Sequence, residues 1–182
     1  MIYKNCLQPL QMTPFLYSII IMPTQRDTVI FVCTANICRS PMAERLFAQA
    51  LGNEEEPLNQ LQVVSAGVSA IDGDLVSQNS IDAMSEEGID IQDHRSQRLN
   101  LEMIQSAVAI FVMTESHRAL IEMTYENLEV PVFLMREFIP EPATNQIPDP
   151  FGQSLEIYRL SRESMKEALP SLIEFLKKET EH

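Results

Sequence analysis

Thr28-Val29-Ile30-Phe31-Val32-Cys33-Thr34-Ala35-Asn36-Ile37-Cys38-Arg39-Ser40-Pro41 carries a strand, a loop and the first turn of a helix in one unbroken stretch. Thr28–Val32 is a short apolar, β-branched run, the pattern of a parallel strand buried on both faces. Pro41 marks a helix start, where a missing N–H leaves no bond unmade. Met42, Leu46 and Ala50 then recur every four residues, with Phe47 and Leu51 beside them, and Gly52 stands where the helix should stop.

The same alternation continues outward from this unit. Leu61–Ser65 reads as a second strand, and Ser77–Glu87 as a helix stopped by Gly88. Leu101–Ser106 is a short helix leading into a third strand, Val108–Met113. Glu115–Thr124 is helical, and Pro131–Met135 is a fourth strand. A stretch holding Pro140, Pro142, Pro148 and Pro150 is irregular. The last helix has Tyr158, Met165, Leu169, Leu172 and Leu176 at spacings of 7, 4, 3 and 4, with Pro170 expected to kink or divide it. Strand and helix alternate throughout, so the fold class is α/β: a three-layer α/β/α domain, Rossmann-like, with a four-stranded parallel sheet. Ligands bind such sheets at the carboxyl ends of the strands, which makes the loop after the first strand the place to look.

Composition narrows the function. The 182 residues include 13 basic and 26 acidic side chains, a net charge of −13. That balance argues against nucleic acid as a partner and against an anionic membrane surface, since both require neutralising cations. No apolar run approaches the roughly 18 residues of a membrane span. Three cysteines, Cys6, Cys33 and Cys38, form no even framework, so a reducing, cytoplasmic setting is expected. Residues 1–27, including the apolar run Phe15–Met22, read as an extension outside a domain at 28–182. The run lacks a cleavage site for a signal peptide, and a start at Met22 is an alternative explanation.

The loop Cys33–Ser40 has the chemistry to wrap a tetrahedral anion. Backbone N–H groups of Thr34, Ala35, Asn36, Ile37, Cys38, Arg39 and Ser40 can point inward, and the following helix adds roughly half a positive charge. Arg39 supplies a planar fork for two phosphate oxygens. The same field favours the thiolate of Cys33, which lies beneath the anion for in-line attack on phosphorus. Ser40 is placed to donate to the sulfur, and Asn36 tolerates left-handed backbone angles.

The motif Val32-Cys33-x-x-Asn36-Ile37-Cys38-Arg39-Ser40-Pro41, with a late Asp149-Pro150-Phe151, resembles the low-molecular-weight protein tyrosine phosphatases over about Thr28 to Lys178. The resemblance implies a four-stranded parallel sheet, Cys33 as nucleophile, Arg39 as phosphate ligand, and Asn36 and Ser40 in support. It also implies Asp149 as the acid that protonates the leaving group and then the base toward water. Burial beside phosphate and aromatic walls is expected to suit Asp149 to that task. Phosphorylated protein or peptide is the implied partner, inorganic phosphate the product, and no metal or cofactor is required.

Two features bear on the substrate. Ile37 resembles the tyrosine-directed members, whose apolar side chain lines the pocket for a phenyl ring; the protein-arginine phosphatase branch carries Thr there. Asp149 through Tyr158 looks more like that arginine-directed branch, because Gly152 follows Phe151 where tyrosine enzymes of animals have a second aromatic. Ile37 faces the substrate directly, so phosphotyrosine is the expected substrate and phosphoarginine the alternative. Ala35 replaces the family's usual Gly and narrows the pocket floor.

Other readings are weaker. Arsenate reduction on this fold needs cysteines downstream of Cys38, and there are none. A phospho-residue binding module would lack the nucleophile or the acid, and both are present. Cys38 carries two readings, core packing or a reversible disulfide with Cys33. His94, Arg95 and Arg98 resemble a family loop near the pocket, with surface solvation expected for each.

Overall fold

A computed structural model describes residues 26–180; Cys6 and the run Phe15–Met22 lie outside them. Four strands form one parallel sheet: β1 (Thr28–Cys33), β2 (Gln62–Gly67), β3 (Ala107–Val112) and β4 (Val132–Leu134). The helices are α1 (Arg39–Leu51), α2 (Gln78–Ser85), α3 (Leu101–Ser106), α4 (Glu115–Thr124) and α5 (Leu155–Thr180), with a 3-10 turn at Leu58–Gln60.

Alternation along β1 builds both layers. Val29, Phe31 and Cys33 face the core shared with α1, α2 and α5, whereas Ile30 and Val32 face α3 and α4. Every residue of β1 is buried, as expected for a central strand covered on both sides. On the α1/α5 side, Phe31 packs edge-on to Phe47 at 5.3 Å and lies 5.6 Å from Phe111, which in turn meets Phe175 of α5.

Strand order is β2-β1-β3-β4. The chain leaves β1 in one direction to reach β2, then returns across β1 to reach β3. The carboxyl end of β1, where Cys33 ends the strand, therefore sits at the reversal point that opens a crevice in parallel sheets.

Two sequence expectations are corrected. Helix α1 begins at Arg39, ahead of Pro41. Pro41 is then its third residue, still within the first turn, where no intrahelical acceptor awaits an N–H. Helix α5 is not divided at Pro170 but runs unbroken to Thr180. Met165, Ala168, Leu172 and Leu176 are buried on both sides of the proline, and this apolar stripe outweighs one lost helical bond.

Candidate active site

The loop from Cys33 to Ser40 is inverted relative to an ordinary turn. Carbonyls of Cys33, Thr34 and Ile37 accept from the backbone N–H groups of Val68, Ser69 and Ser77, and that of Asn36 lies 3.0 Å from His94 Nε2. By contrast, among the described residues none of the amides of residues 34–38 donates to a protein acceptor. With the carbonyls drawn outward, the amides are left toward the pocket, a nest suited to an anion. Asn36 sits at φ 57°, the left-handed angle that closes such a nest.

Asn36 is fully buried and holds the loop from beneath. Its Nδ2 donates to Ser40 Oγ and to Ser65 Oγ, both at 2.8 Å, and its Oδ1 accepts from the Gln97 amide at 2.9 Å. Ser65 in turn donates to Glu44 Oε2 at 2.6 Å. Ser40 Oγ, also buried, lies 3.1 Å from Cys33 Sγ and 3.2 Å from the Ala66 carbonyl. Since Ser40 accepts from Asn36, its single proton serves either the sulfur or that carbonyl.

Arg39 is 4% exposed, and its Nη2 donates to Asp149 Oδ2 at 2.6 Å. Among the described residues its Nε and Nη1 have no protein acceptor, so two donor nitrogens remain for an anion. Asp149 reaches this position because Ile147 N donates to the Met113 carbonyl beyond β3, and Ser161 of α5 donates to the Pro148 carbonyl. Behind it, buried Arg136 holds the proline-rich stretch to α5 through Thr144 O, Ser164 O and Glu167. After Asp149 the chain turns, with Phe151 N donating to Asp149 Oδ1, Gln153 N to Pro150 O, and Gly152 at φ 74°.

A pocket of about 210 Å³ is lined by Cys33, Thr34, Ala35, Ile37, Cys38, Arg39, Asp149 and Phe151. The structure thus brings together all the expected residues except Asn36 and Ser40, which lie beneath the loop. The burial expected for Asp149 is not observed: its side chain is 55% exposed and ion-paired with Arg39. The short loop that carries it stands at the pocket rim, beside Phe151, which is itself exposed. Cys38 is a free, buried thiol, with Sγ 3.3 Å from Ser77 Oγ and 3.5 Å from Tyr158 OH. Burial pushes the Tyr158 phenol up to about 12, and its bond to Cys38 acts in the same direction.

The solvated reading of His94 is corrected. It is buried, bonded to the loop at Asn36 and 3.9 Å from Glu44. Arg95 and Arg98 are exposed as expected. Gly67 and His117 also belong to the site, and no local signal marked them. A Cβ on Gly67 would stand 2.6 Å from the Thr34 carbonyl, so only glycine lets β2 approach the loop this closely. His117, 5% exposed, lies 2.9 Å from both Thr34 Oγ1 and Thr114 Oγ1, tying the loop to the start of α4. Among the described residues no group of three or more His, Cys, Asp or Glu could hold a metal ion, and no helix is long and apolar enough to cross a membrane.

Burial, and then the Arg39 guanidinium, hold His117 down to about 4, against an ordinary value of 6.5. The unfolded chain therefore takes up a proton near pH 6.5 that the folded protein refuses until about pH 4. This contribution to stability is complete above 6.5 and is lost as pH falls through that window, by a few kcal/mol at most. His117→Gln should remove it. The gap in Tm between parent and variant should shrink from pH 7 to pH 4 in thermal melts; a constant gap would contradict a neutral imidazole.

The model of the family "Low molecular weight phosphotyrosine protein phosphatase" matches residues 28–182. A protein-arginine-phosphatase of Bacillus subtilis is 36% identical over 151 residues, which are 83% of this chain and 97% of that protein. Among solved structures, the YwlE arginine phosphatase, as a mutant with a phosphorylated active site serine, superposes with a TM-score of 0.73 at 34% identity, covering 83% of this chain and 96% of its own. A low molecular weight protein tyrosine phosphatase from T. tengcongensis gives 0.70 at 35% identity, over 81% and 97%. With the inward-facing amides at the reversal point of a four-stranded parallel sheet, these matches lead to one conclusion: the chain belongs to the low molecular weight phosphotyrosine protein phosphatase family.

Proposed function

We propose that this protein hydrolyses phosphotyrosine on proteins, through a phosphocysteine intermediate formed on Cys33. The observation that carries the reading is the pocket itself, with the Cys33 sulfur at its base, Arg39 at its side, and Ile37 and Phe151 as apolar walls. An aromatic ring fits between such walls while its phosphate occupies the nest.

In the first step the Cys33 thiolate attacks phosphorus. The S–P bond forms, the P–O bond to tyrosine breaks, and Asp149 gives its proton to the departing oxygen. The loop amides and the free nitrogens of Arg39 take up the charge on the equatorial oxygens. A phosphate on the free nitrogens of Arg39 leaves the Asp149 carboxyl at the pocket rim, beside the oxygen that departs. In the second step water attacks phosphorus and Asp149 takes its proton. The S–P bond breaks to release inorganic phosphate, and the Ser40 hydroxyl stabilises the returning thiolate from 3.1 Å. The relative with a phosphorylated active site serine supports a covalent phosphoenzyme. The same reading takes 28–182 as the phosphatase domain, supported by the family match from residue 28, and 1–27 as an extension of it.

Phosphoarginine is the second reading. Gly152 at φ 74° sits in a turn that excludes a second aromatic wall, and the Bacillus subtilis relative is named a protein-arginine-phosphatase. Steady-state kcat/KM on matched phosphotyrosine and phosphoarginine peptides separates the two. The parent should prefer phosphotyrosine, and Ile37→Thr should move the ratio toward phosphoarginine by about tenfold, the worth of roughly 1.4 kcal/mol of wall contact. A ratio unmoved by the substitution sinks Ile37 as selector, and a parent preference for phosphoarginine makes the second reading the correct one.

A further inference from the structure

The Arg39–Asp149 ion pair is a wall between two cavities. On one side lies the 210 Å³ pocket that holds Cys33. On the other lies an open cleft of about 610 Å³, which shares Thr34, Arg39 and Asp149 with that pocket and extends along the start of α4. The phosphate chemistry uses the Thr34, Arg39 and Asp149 that the two share and nothing else of this cleft. We propose that it binds the main chain of the protein substrate on one side of the phosphorylated residue.

Size is the first argument. The inner pocket falls below the few hundred Å³ typical of a whole-ligand site, so a substrate whose phosphoryl group and side chain fill it must lie mostly outside. The larger cleft shares three lining residues with the pocket and so adjoins the reacting groups.

Chemistry is the second argument. Beyond the mutually neutralised Arg39 and Asp149, the lining carries no charge: Thr34, Thr114, Ser116, His117 and Gln146 are hydroxyls, an imidazole and an amide. His117 adds no charge at neutral pH, because burial keeps its ring unprotonated. Elsewhere this surface is dense in carboxylates. A neutral, hydrogen-bonding cleft beside the site therefore suits a ligand with paired donors and acceptors and no charge, which describes the polypeptide backbone. Ser116 and Gln146 both line it, and neither side chain has a hydrogen-bond partner among the described residues. A strand of substrate lying along the cleft finds an unpaired donor or acceptor at each of them.

The inference rests on the phosphatase reading, and the test keeps the two apart. Ser116→Trp fills the cleft without touching the inner pocket. The ratio of kcat/KM for a phosphotyrosine peptide to that for p-nitrophenyl phosphate, which carries nothing beyond its ring, should fall about tenfold, through KM rather than kcat. Equal changes on both substrates, or none, overturn the proposal. Should that variant not fold, amide NMR of the Cys33→Ser protein decides. The phosphopeptide should shift Ser116 N–H and the Gln146 side-chain amide where inorganic phosphate does not; shifts identical for both ligands overturn it. Failure of the parent to hydrolyse p-nitrophenyl phosphate would remove the catalytic reading, and the NMR result would still decide the cleft.

Discussion

Cys33→Ser is expected to lower kcat/KM by about 10⁴-fold or more while leaving phosphate binding intact. The two effects separate because the sulfur and the anion site are built from different groups. In the proposed mechanism phosphate is held by loop amides and by Arg39, whereas the loop's shape is set by Asn36, Ser65, His94 and Gln97, none of which bonds to Cys33 Sγ. Among the described residues the side-chain partner of that sulfur is Ser40 Oγ, which a serine hydroxyl at position 33 can also meet. A serine hydroxyl is not ionised at neutral pH and attacks far more weakly than a thiolate, even though the relative's active site serine is found phosphorylated. The substitution leaves the loop amides and Arg39 in place, so inorganic phosphate should bind about as well as before. Calorimetric titration with phosphate, alongside turnover of an aryl phosphate, reads both. Residual activity within a hundredfold of the parent would mean that the nucleophile is another group. Loss of phosphate binding would mean that Cys33 supports the loop instead.

How far this site can be read from sequence depends on how local its parts are. Cys33 through Pro41 is contiguous, and its place between a buried strand and a helix start puts it at the carboxyl edge of the sheet without any knowledge of packing. The four strands are similarly legible, since each is a short apolar run, and their ends differ from expectation by one or two residues. The loop's supports are a different matter. Ser65, Gln97 and His94 meet Asn36 from 29 to 61 residues away, and nothing in their own neighbourhoods sets them apart from surface polar residues. His94 was expected in solvent because a lone histidine in a polar stretch usually is; only the fold turns it inward. His117 is hidden for the same reason, lying 83 residues from Thr34. Gly67 looks like a strand terminator until the loop carbonyl is found where its Cβ would be. Asp149 is the intermediate case. Its motif marks it, but its exposure and its pairing with Arg39 are tertiary facts, and they alter what its removal should do.

Asp149→Asn should therefore have two opposite effects. On a phosphotyrosine peptide kcat should fall by about 10²–10³-fold, because a phenolate with a pKa near 10 leaves poorly without a proton. On p-nitrophenyl phosphate, whose phenolate needs no proton to leave, the loss should be much smaller until hydrolysis of the phosphocysteine becomes limiting. A dependence on leaving group distinguishes a proton donor from a residue that merely shapes the rim, which would slow all substrates alike. The second effect is on affinity. Asp149 Oδ2 holds Arg39 Nη2 at 2.6 Å, and a phosphate on the remaining nitrogens shares the charge of that same guanidinium. Carboxylate and phosphate compete for one guanidinium, and the neutral amide of Asn is the weaker competitor. Inorganic phosphate should thus inhibit the variant more strongly than the parent, by several-fold, and KM for the peptide should fall along with kcat. The exposure of Asp149 limits this gain, since an ion pair open to water on one side is worth less than a buried one. Unchanged phosphate inhibition would show that the ion pair yields to phosphate at no cost. An equal loss of kcat on both substrates would take the proton-donor role away from Asp149.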